Sequence, residues 1–233
     1  MALSGSTNYS LNRTQLINSA LRIINVYTEA YTPSSFEMNS AAETLNLMLK
    51  AWQADGLQLT TRKTKTFSLV SGTASYTLGP SGTVTMDRPL RILACNLKQT
   101  SSGTETELTQ VSRTDYHALP LKTTSGSPAE FMYDPQLTNG VIYFWPVMDT
   151  TGYTAELLYV KPYDDLDSST DDIELPQEWM EAVKYGLAAR LSDEYGLPLQ
   201  ERSYLWKKAE AAKYDVNGFD NENTSMFIMP STY

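Results

Sequence analysis

The chain has 233 residues, with 18 Lys and Arg against 27 Asp and Glu, so its formal net charge is −9 at pH 7. This balance excludes a broadly basic nucleic-acid-binding protein, and the length allows one large domain or two small ones. Apolar residues make up 41% and aromatic residues 11%, which predicts a folded core and surfaces suited to packing against other proteins.

Two amphipathic helices are predicted first. Apolar residues recur at helical spacing from Thr14 to about Tyr27. Ser34 then stands three residues before Glu37, a capping-box arrangement, and a second apolar stripe continues to Gly56. Each helix has one apolar face to bury, so we expect the two to pack as a hairpin.

The middle of the chain, residues 62–161, has short runs of Thr, Val, Tyr and Phe separated by turn residues, which indicates strands. Asn139-Gly140 is the strongest hairpin signal, because both residues tolerate positive φ. A helical turn is expected within residues 112–119. A first hairpin is expected across a turn at Ser71-Gly72, and the later strand runs are residues 91–98, 104–108, 130–133, 141–145 and 154–161. This pattern is most simply a small antiparallel sandwich or barrel.

Helical signals return at Pro176. Trp179, Val183 and Leu187 recur at four-residue spacing in a helix that is expected to stop at Gly196. A second helix is predicted over residues 199–216, which are rich in Ala, Lys and Glu.

Two segments are candidate protein-binding sites. Residues 217–223 form a polar tether before an apolar segment, which is typical of a segment that docks on a partner. The other candidate is the densest basic cluster in the chain, which is too small for a DNA site and typical of a solvated or partner-facing edge. The residues concerned are Phe227, Ile228 and Met229 in the tail, and Arg62, Lys63 and Lys65 in the basic cluster.

No cluster of residues predicts an active site, a metal site or a cofactor site. His117 lies two residues from Asp115 in a context typical of a surface turn. Cys95, the one cysteine, lies in an apolar strand run typical of the core. The acidic residues between 164 and 174 lack the glycine and spacing of an EF-hand loop, so a solvated linker is expected, with a weak cation site as the alternative. Two carboxylates in a cleft would be enough for glycoside hydrolysis, and the nominal candidates are Glu29, Glu37, Asp55 and Glu194.

Location also follows from absences in the sequence. Residues 1–13 lack the apolar core of a signal peptide, and no stretch approaches the roughly 20 apolar residues that cross a bilayer. A single cysteine cannot form an internal disulfide. We therefore expect folding in a reducing cytoplasm and no membrane partner.

A set of motifs follows in fixed order from about residue 14 to residue 215. The helical motifs near the start are ALRII at residues 20–24 and AAETLNLMLKAWQADGL at residues 41–57. The central motifs are Phe67, Leu69, Gly72, Tyr76, Gly79, Arg88-Pro89, Ile92, Tyr133-Asp134-Pro135, Gly140, Ile142 and Trp145-Pro146. The closing motifs are Leu175-Pro176, Ala182, Tyr185, Leu187-Ala188, Arg190-Leu191 and Glu194-Tyr195-Gly196. In this order they resemble the tail accessory factors of short-tailed phages, the P22 gp4-like head-to-tail adaptor family. Asn25 departs from that pattern, because a glycine is commoner there, and Met148 replaces a proline.

The resemblance implies a structural virion protein of the tail or neck rather than an enzyme. Such adaptors form a ring, commonly of twelve copies, beneath the portal protein, and present a platform to the tail hub or nozzle. Genomic DNA would pass through without specific binding, and an acidic channel would repel its phosphates. The alternatives are a virion-associated peptidoglycan-cleaving enzyme and a sugar-binding tail module built on Trp145, Tyr143 and Tyr153.

We therefore predict an α+β fold. Residues 1–60 and 164–216 are expected to form one helical adaptor core from the N-terminal hairpin and the C-terminal helices. Residues 61–163 are expected to form an inserted antiparallel β-sandwich or barrel, and residues 217–233 a tail that docks on the portal or a neighbouring subunit. The residues expected in the helical core are Leu45, Leu49, Trp52, Trp179, Val183 and Leu187.

Overall fold

The computed structural model describes residues 5, 9–28, 30–57 and 60–217, and it contains both helices and sheets, so the α+β class is confirmed. The chain divides into two compact units. Met1–Asp55 and Asp164–Tyr233 make up the first, which we call the helical unit, and Gly56–Tyr163 make up the second, the strand unit. Among the described residues the helices are α1 (Arg13–Ile23), α2 (Ser35–Ala54), α3 (Arg113–Ala118), α4 (Met180–Glu194) and α5 (Leu199–Asn217), with a 3₁₀ turn at Gln177–Trp179.

Capping boxes begin α1 and α2. Ser34 and Glu37 cap α2 as predicted, each side chain accepting a hydrogen bond from the other residue's backbone N–H. Asn12 and Gln15 form the same reciprocal arrangement at the start of α1. These bonds satisfy donors that the first turn of a helix would otherwise leave unpaired.

The end of α1 explains the unusual residue Asn25. Its φ is +59°, in the left-handed region that most residues avoid and that asparagine tolerates better than most. The Val26 N–H donates to the Leu21 carbonyl at 2.9 Å, and the Asn25 N–H donates to the Arg22 carbonyl at 3.2 Å. These two bonds are those of a Schellman motif, so Asn25 fills the position that favours glycine.

Helix α4 is the centre of the helical unit. It packs against α1, α2 and α5 and is buried on nearly every side. Gly186 allows the close approach of α2, since a Cβ there would lie 2.9 Å from Trp52 Cζ2 and 3.0 Å from Met48 Sδ. Trp52 also meets Trp179, with ring centroids 6.0 Å apart. All six residues expected in the helical core are buried.

The segment between the strand unit and the 3₁₀ turn is packed, which corrects the expectation of a solvated linker. The Arg13 side chain donates to the carbonyls of Leu166 and Asp167 at 2.9 and 2.8 Å. The Leu166 N–H donates to Asn46 Oδ1 at 3.0 Å. Its buried apolar residues are Leu166, Ile173 and Leu175. The acidic residues alone suggested solvation, but the apolar residues between them are buried, and the hydrogen bonds of Arg13 and Asn46 hold the segment to α1 and α2.

The strand unit contains two sheets. Its strands are β1 (Arg62–Ser68), β2 (Ser75–Gly79), β3 (Val84–Thr85), β4 (Arg91–Gln99), β5 (Glu105–Glu107), β6 (Thr109–Gln110), β7 (Glu130–Asp134), β8 (Gly140–Trp145) and β9 (Tyr153–Val160). One sheet has the order β1-β9-β4-β5 and the other β3-β2-β8-β7-β6. Side chains of both sheets join one hydrophobic cluster that includes Phe131, Ile142, Phe144 and Leu157.

Strand pairing is antiparallel in the first sheet, but the second departs from a wholly antiparallel arrangement. There β2 pairs with β3, and β6 with β7, in parallel, over two residue pairs each. β3 and β6 are each only two residues long, which is too short for the alternation that signals a strand, so neither is among the predicted strand runs.

The Asn139-Gly140 signal gave the right hairpin and the wrong turn. β7 and β8 do pair antiparallel, but Gly140 is the first residue of β8, is buried, and has a φ outside the left-handed region. A Cβ at this position would overlap the phenol ring of Tyr133. The Tyr133 hydroxyl donates a hydrogen bond to the Pro89 carbonyl, which holds the ring in place. Burial of the ring raises the pKa of Tyr133 to about 12. Gly140 is therefore needed for close approach rather than for a positive φ.

Replacing Gly140 by Ala should lower the free energy of unfolding by about 2–4 kcal/mol, because Tyr133 must move and loses its hydrogen bond. Urea denaturation of Gly140→Ala, Tyr133→Ala and the double variant measures this. The Gly140→Ala change should cost much less once Tyr133 is already Ala. If the losses of the two single variants simply add in the double variant, the overlap with Tyr133 is not the reason for a glycine at position 140.

Candidate interaction surfaces

The predicted basic cluster lies on β1, an edge strand of the four-stranded sheet. Successive side chains of a strand point to opposite faces, so Arg62 lies on one face and Lys63 and Lys65 on the other. Lys65 is half-buried opposite Leu157, on the same face as Phe67, which packs against the hydrophobic cluster. The structure therefore separates Arg62 from the two lysines instead of forming one patch.

Lysines on the core-facing side of an edge strand have a structural consequence. A long edge strand presents backbone groups that another chain can pair with, and inward-pointing charges make that pairing unfavourable. Lys63 and Lys65 fit this protective role. The other predicted binding residues, Phe227, Ile228 and Met229, lie outside the described residues.

Two exposed stripes in the helical unit were not anticipated from the sequence. On α2, Phe36 is 81% and Leu47 is 64% exposed, and exposed Glu43 lies between them on the same helical face. We call Phe36, Glu43 and Leu47 the α2 stripe. Helical spacing places Phe36 and Leu47 about opposite the predicted core residues Leu45 and Leu49, and the packing of α2 on α4 leaves that opposite face exposed.

A second stripe lies on α5. Tyr204 is 62% and Tyr214 is 80% exposed, and exposed Lys207 lies between them. We call Tyr204, Lys207 and Tyr214 the α5 stripe. Tyr204 also borders a groove of about 410 Å³. The apolar residues lining that groove are Ile23, Leu197 and Leu205.

Two of the four carboxylates named as candidates for glycoside hydrolysis, Glu37 and Glu194, both lie near Tyr195. Oε2 of Glu37 accepts hydrogen bonds from the Ser34 N–H and the Tyr31 hydroxyl, both at 2.7 Å, and Oε1 of Glu194 accepts from the Ser40 hydroxyl at 2.6 Å. Burial raises the pKa of Tyr195, and the nearby charges of Glu37 and Glu194 add to that shift. Asp55 is instead paired with Lys213 at 3.2 Å, and Glu29 lies outside the described residues.

The environment of Glu37 does not suit a general acid. The Ser34 N–H, followed by the Tyr31 and Ser34 hydroxyls, lowers the pKa of Glu37, whereas a glycosidase acid needs a raised one. The same bonds make Glu37 the third helical residue of the α2 capping box. The carboxylate therefore has a structural role at the start of α2.

His117 and Cys95, the other side chains considered for catalysis, lie on different elements, α3 and β4. His117 is exposed on α3, and Asp115 accepts a hydrogen bond from the Ser112 hydroxyl at 2.7 Å as part of the helix cap. Cys95 is fully buried, and burial raises its pKa to about 12, so its thiol stays protonated at neutral pH. Neither group is arranged as a nucleophile or base.

Two of the three aromatic residues considered for sugar binding, Tyr143 and Trp145, are two residues apart on β8 and lie on the same face of that strand. Tyr153 packs against the hydrophobic cluster. Tyr143 contacts the ring of Tyr116 at 5.3 Å, and the Trp145 indole N–H donates to the Leu121 carbonyl at 3.1 Å. Each ring is thus used in packing or hydrogen bonding within the strand unit.

The described part of the chain lacks the features of a metal site and of a membrane-spanning helix. There, no group of three or more His, Cys, Asp or Glu residues is placed to hold a metal ion. The acidic segment is used in ion pairs and turns instead, and Asp165 pairs with Lys50 at 2.8 Å. No helix among the described residues has the length and apolarity needed to cross a membrane.

Comparison with known proteins gives one family match. The family model described as "SU10 adaptor protein" matches residues 11–225, which include parts of both units. No curated protein matches the chain. Among solved structures, a chain from the "Neck of empty GTA particle computed with C6 symmetry" is 13% identical, covers 80% of this chain and 83% of its own, and has a TM-score of 0.27.

Protonating Glu37 should remove a stabilising interaction. Because its folded-state pKa lies below the ordinary 4.5, its contribution is present above that pH and is lost as the pH falls through the folded value. The melting temperature of Glu37→Gln should therefore be below that of the wild type at pH 7, and the gap should close toward pH 3. Glu43→Gln, on the same helix and outside the cap, is the matched control. A gap that stays constant over this range would contradict the assignment.

Proposed function

The chain belongs to the SU10 adaptor protein family, and from that premise we propose that it is the head-to-tail adaptor of a short-tailed DNA phage, of the P22 gp4-like type. In this role it forms a ring beneath the portal protein, commonly of twelve copies. The ring joins the capsid to the tail hub or nozzle and continues the channel through which the genome leaves.

The observation that carries this proposal is the extent of the family match. It begins before α1 and passes through both units to the end of α5, so it covers the helices at the two ends and the strands between them. The order of motifs in the sequence supports the same role. An adaptor acts by presenting surfaces, and the two exposed stripes of the helical unit are surfaces of that kind.

The net charge supports a passage for DNA rather than a binding site for it. A ring of identical copies multiplies the formal charge of −9 carried by each one. An acidic lining repels phosphates, whereas a basic lining would hold the genome through many phosphate contacts. Assembly in the host cytoplasm before incorporation into the virion belongs to the same proposal.

The tail has a part in this proposal. Phe227, Ile228 and Met229 follow a polar tether, and a segment this short has too little apolar area to fold alone. We propose that it docks on the portal protein or on an adjacent subunit. The basic cluster, by contrast, is better explained as edge protection for Lys63 and Lys65, which leaves Arg62 as its partner-facing member.

Mixing the purified full chain with the portal protein of the same phage should give a ring of added density on one face of the portal. Negative-stain class averages measure this, with the portal alone and the full chain alone as controls. A portal that shows no added density at micromolar concentrations of the full chain would count against the adaptor role.

Removing residues 218–233 should weaken portal-dependent assembly by at least about tenfold while leaving the unfolding temperature of the remaining chain unchanged. The full-length triple variant Phe227→Ser, Ile228→Ser, Met229→Ser should show the same defect, which separates the apolar residues from the length of the tail. Wild-type assembly by both variants would exclude a docking role for the tail.

A further inference from the structure

The two exposed stripes of the helical unit match in length and are opposite in charge. The apolar ends of the α2 stripe are eleven residues apart and those of the α5 stripe are ten residues apart. At the rise of an α-helix these separations are about 16 Å and about 15 Å. Between the ends, the α2 stripe carries the carboxylate Glu43 and the α5 stripe carries the ammonium group of Lys207.

The two helices also run in the same direction. Near the start of α2, Ser40 donates to Glu194, the last residue of α4, a few residues before α5 begins. Just after the end of α2, Asp55 pairs with Lys213 near the end of α5. Both stripes nevertheless face outward, because the opposite faces of α2 and α5 pack inward. Within one molecule the stripes therefore do not meet.

We propose that the α2 stripe of one copy docks against the α5 stripe of the next copy around the ring, an inference that rests on the proposed adaptor function. The contact is head-to-tail, since two different surfaces meet, and such contacts close into rings when the rotation between copies closes. A small rotation per copy keeps the two helices nearly parallel. Phe36 then lies beside Tyr204, and Glu43 and Lys207 are offset by four residues, about 6 Å along the helix axes, which their long side chains can span.

A second copy is the occupant that the surfaces favour. Both halves of a complementary pair are present on every chain, which a ring of identical subunits requires and a single foreign partner does not. The groove beside Tyr204 can receive an aromatic side chain, because its lining combines the apolar residues Ile23, Leu197 and Leu205 with polar residues at Gln200, Glu201 and Lys208. In the parallel arrangement Phe36 is the side chain that reaches it.

Charge reversal with rescue tests the contact. Wild type, Glu43→Lys, Lys207→Glu and the double variant are each mixed with the portal protein, and the number of adaptor copies per portal is measured by native mass spectrometry and negative stain. Each single reversal should lower ring occupancy at fixed concentration by about tenfold, because a like-charge pair recurs at every interface. The double variant should restore it. Glu178→Lys, an exposed carboxylate of the helical unit outside both stripes, is the matched control.

The possible outcomes separate this inference from the proposed function. Full rings from both single variants would overturn the inference and leave the adaptor role standing. A defect in Glu43→Lys that Lys207→Glu does not rescue would assign the α2 stripe to the portal instead, and would overturn the inference as well. Absence of a ring with the wild type would remove the proposed function, and the inference with it.

The apolar residues provide a second measurement. Phe36→Ser and Tyr214→Ser should each reduce ring occupancy by about tenfold or more, because they remove large contact areas from the same interface. Leu137→Ser, at a residue of the strand unit that is 94% exposed, is the matched control and should assemble as the wild type does. All these side chains are exposed, so unchanged melting temperatures confirm that the variants fold. Wild-type assembly by both stripe variants would overturn the proposed contact.

Discussion

The close packing of α4 against its neighbours is the constraint on which the helical unit depends. Its buried residues include Ala182, Gly186, Ala188 and Ala189, whose small size lets the surrounding helices approach. At Gly186 even a methyl group would press on Trp52 and Met48. Since α4 follows the strand unit in the chain, α1 and α2 can bury their apolar faces only after the chain has returned. The two ends of the sequence thus stabilise one unit together.

The same packing determines which surfaces remain available for partners. α4 packs against the inward faces of α2 and α5, so the large apolar side chains on their outer faces are left exposed. A single exposed apolar residue is common in soluble proteins, but regular stripes of two with a charge between them are a more specific arrangement. For a protein of an adaptor family, such surfaces are better understood as sites of assembly than as defects in packing.

Local signals in the sequence were reliable where the interaction is local. Ser34 and Glu37 form their capping box three residues apart, and the strand runs of residues 91–98 and 154–161 fall on β4 and β9. The signals failed where a distant residue decides. Gly140 looked like a turn residue because the ring of Tyr133 that excludes a side chain there is not visible in the local sequence. Helical spacing places Phe36 opposite Leu45, off the predicted core face, but whether another element covers that opposite face depends on the fold and not on the local sequence.

The outer strands of the strand unit must avoid pairing with strands of other chains. Three of the four outer strands that the structure describes, β3, β5 and β6, have only two or three residues and offer little backbone for pairing. The fourth, β1, has seven residues, and it is the one that carries Lys63 and Lys65 on its core-facing side. A chain that assembles through helical surfaces must not also polymerise through sheet edges, because the second contact would compete with ring closure. In the proposed ring, short edges and inward lysines on the strand unit would confine association to the exposed apolar stripes of the helical unit.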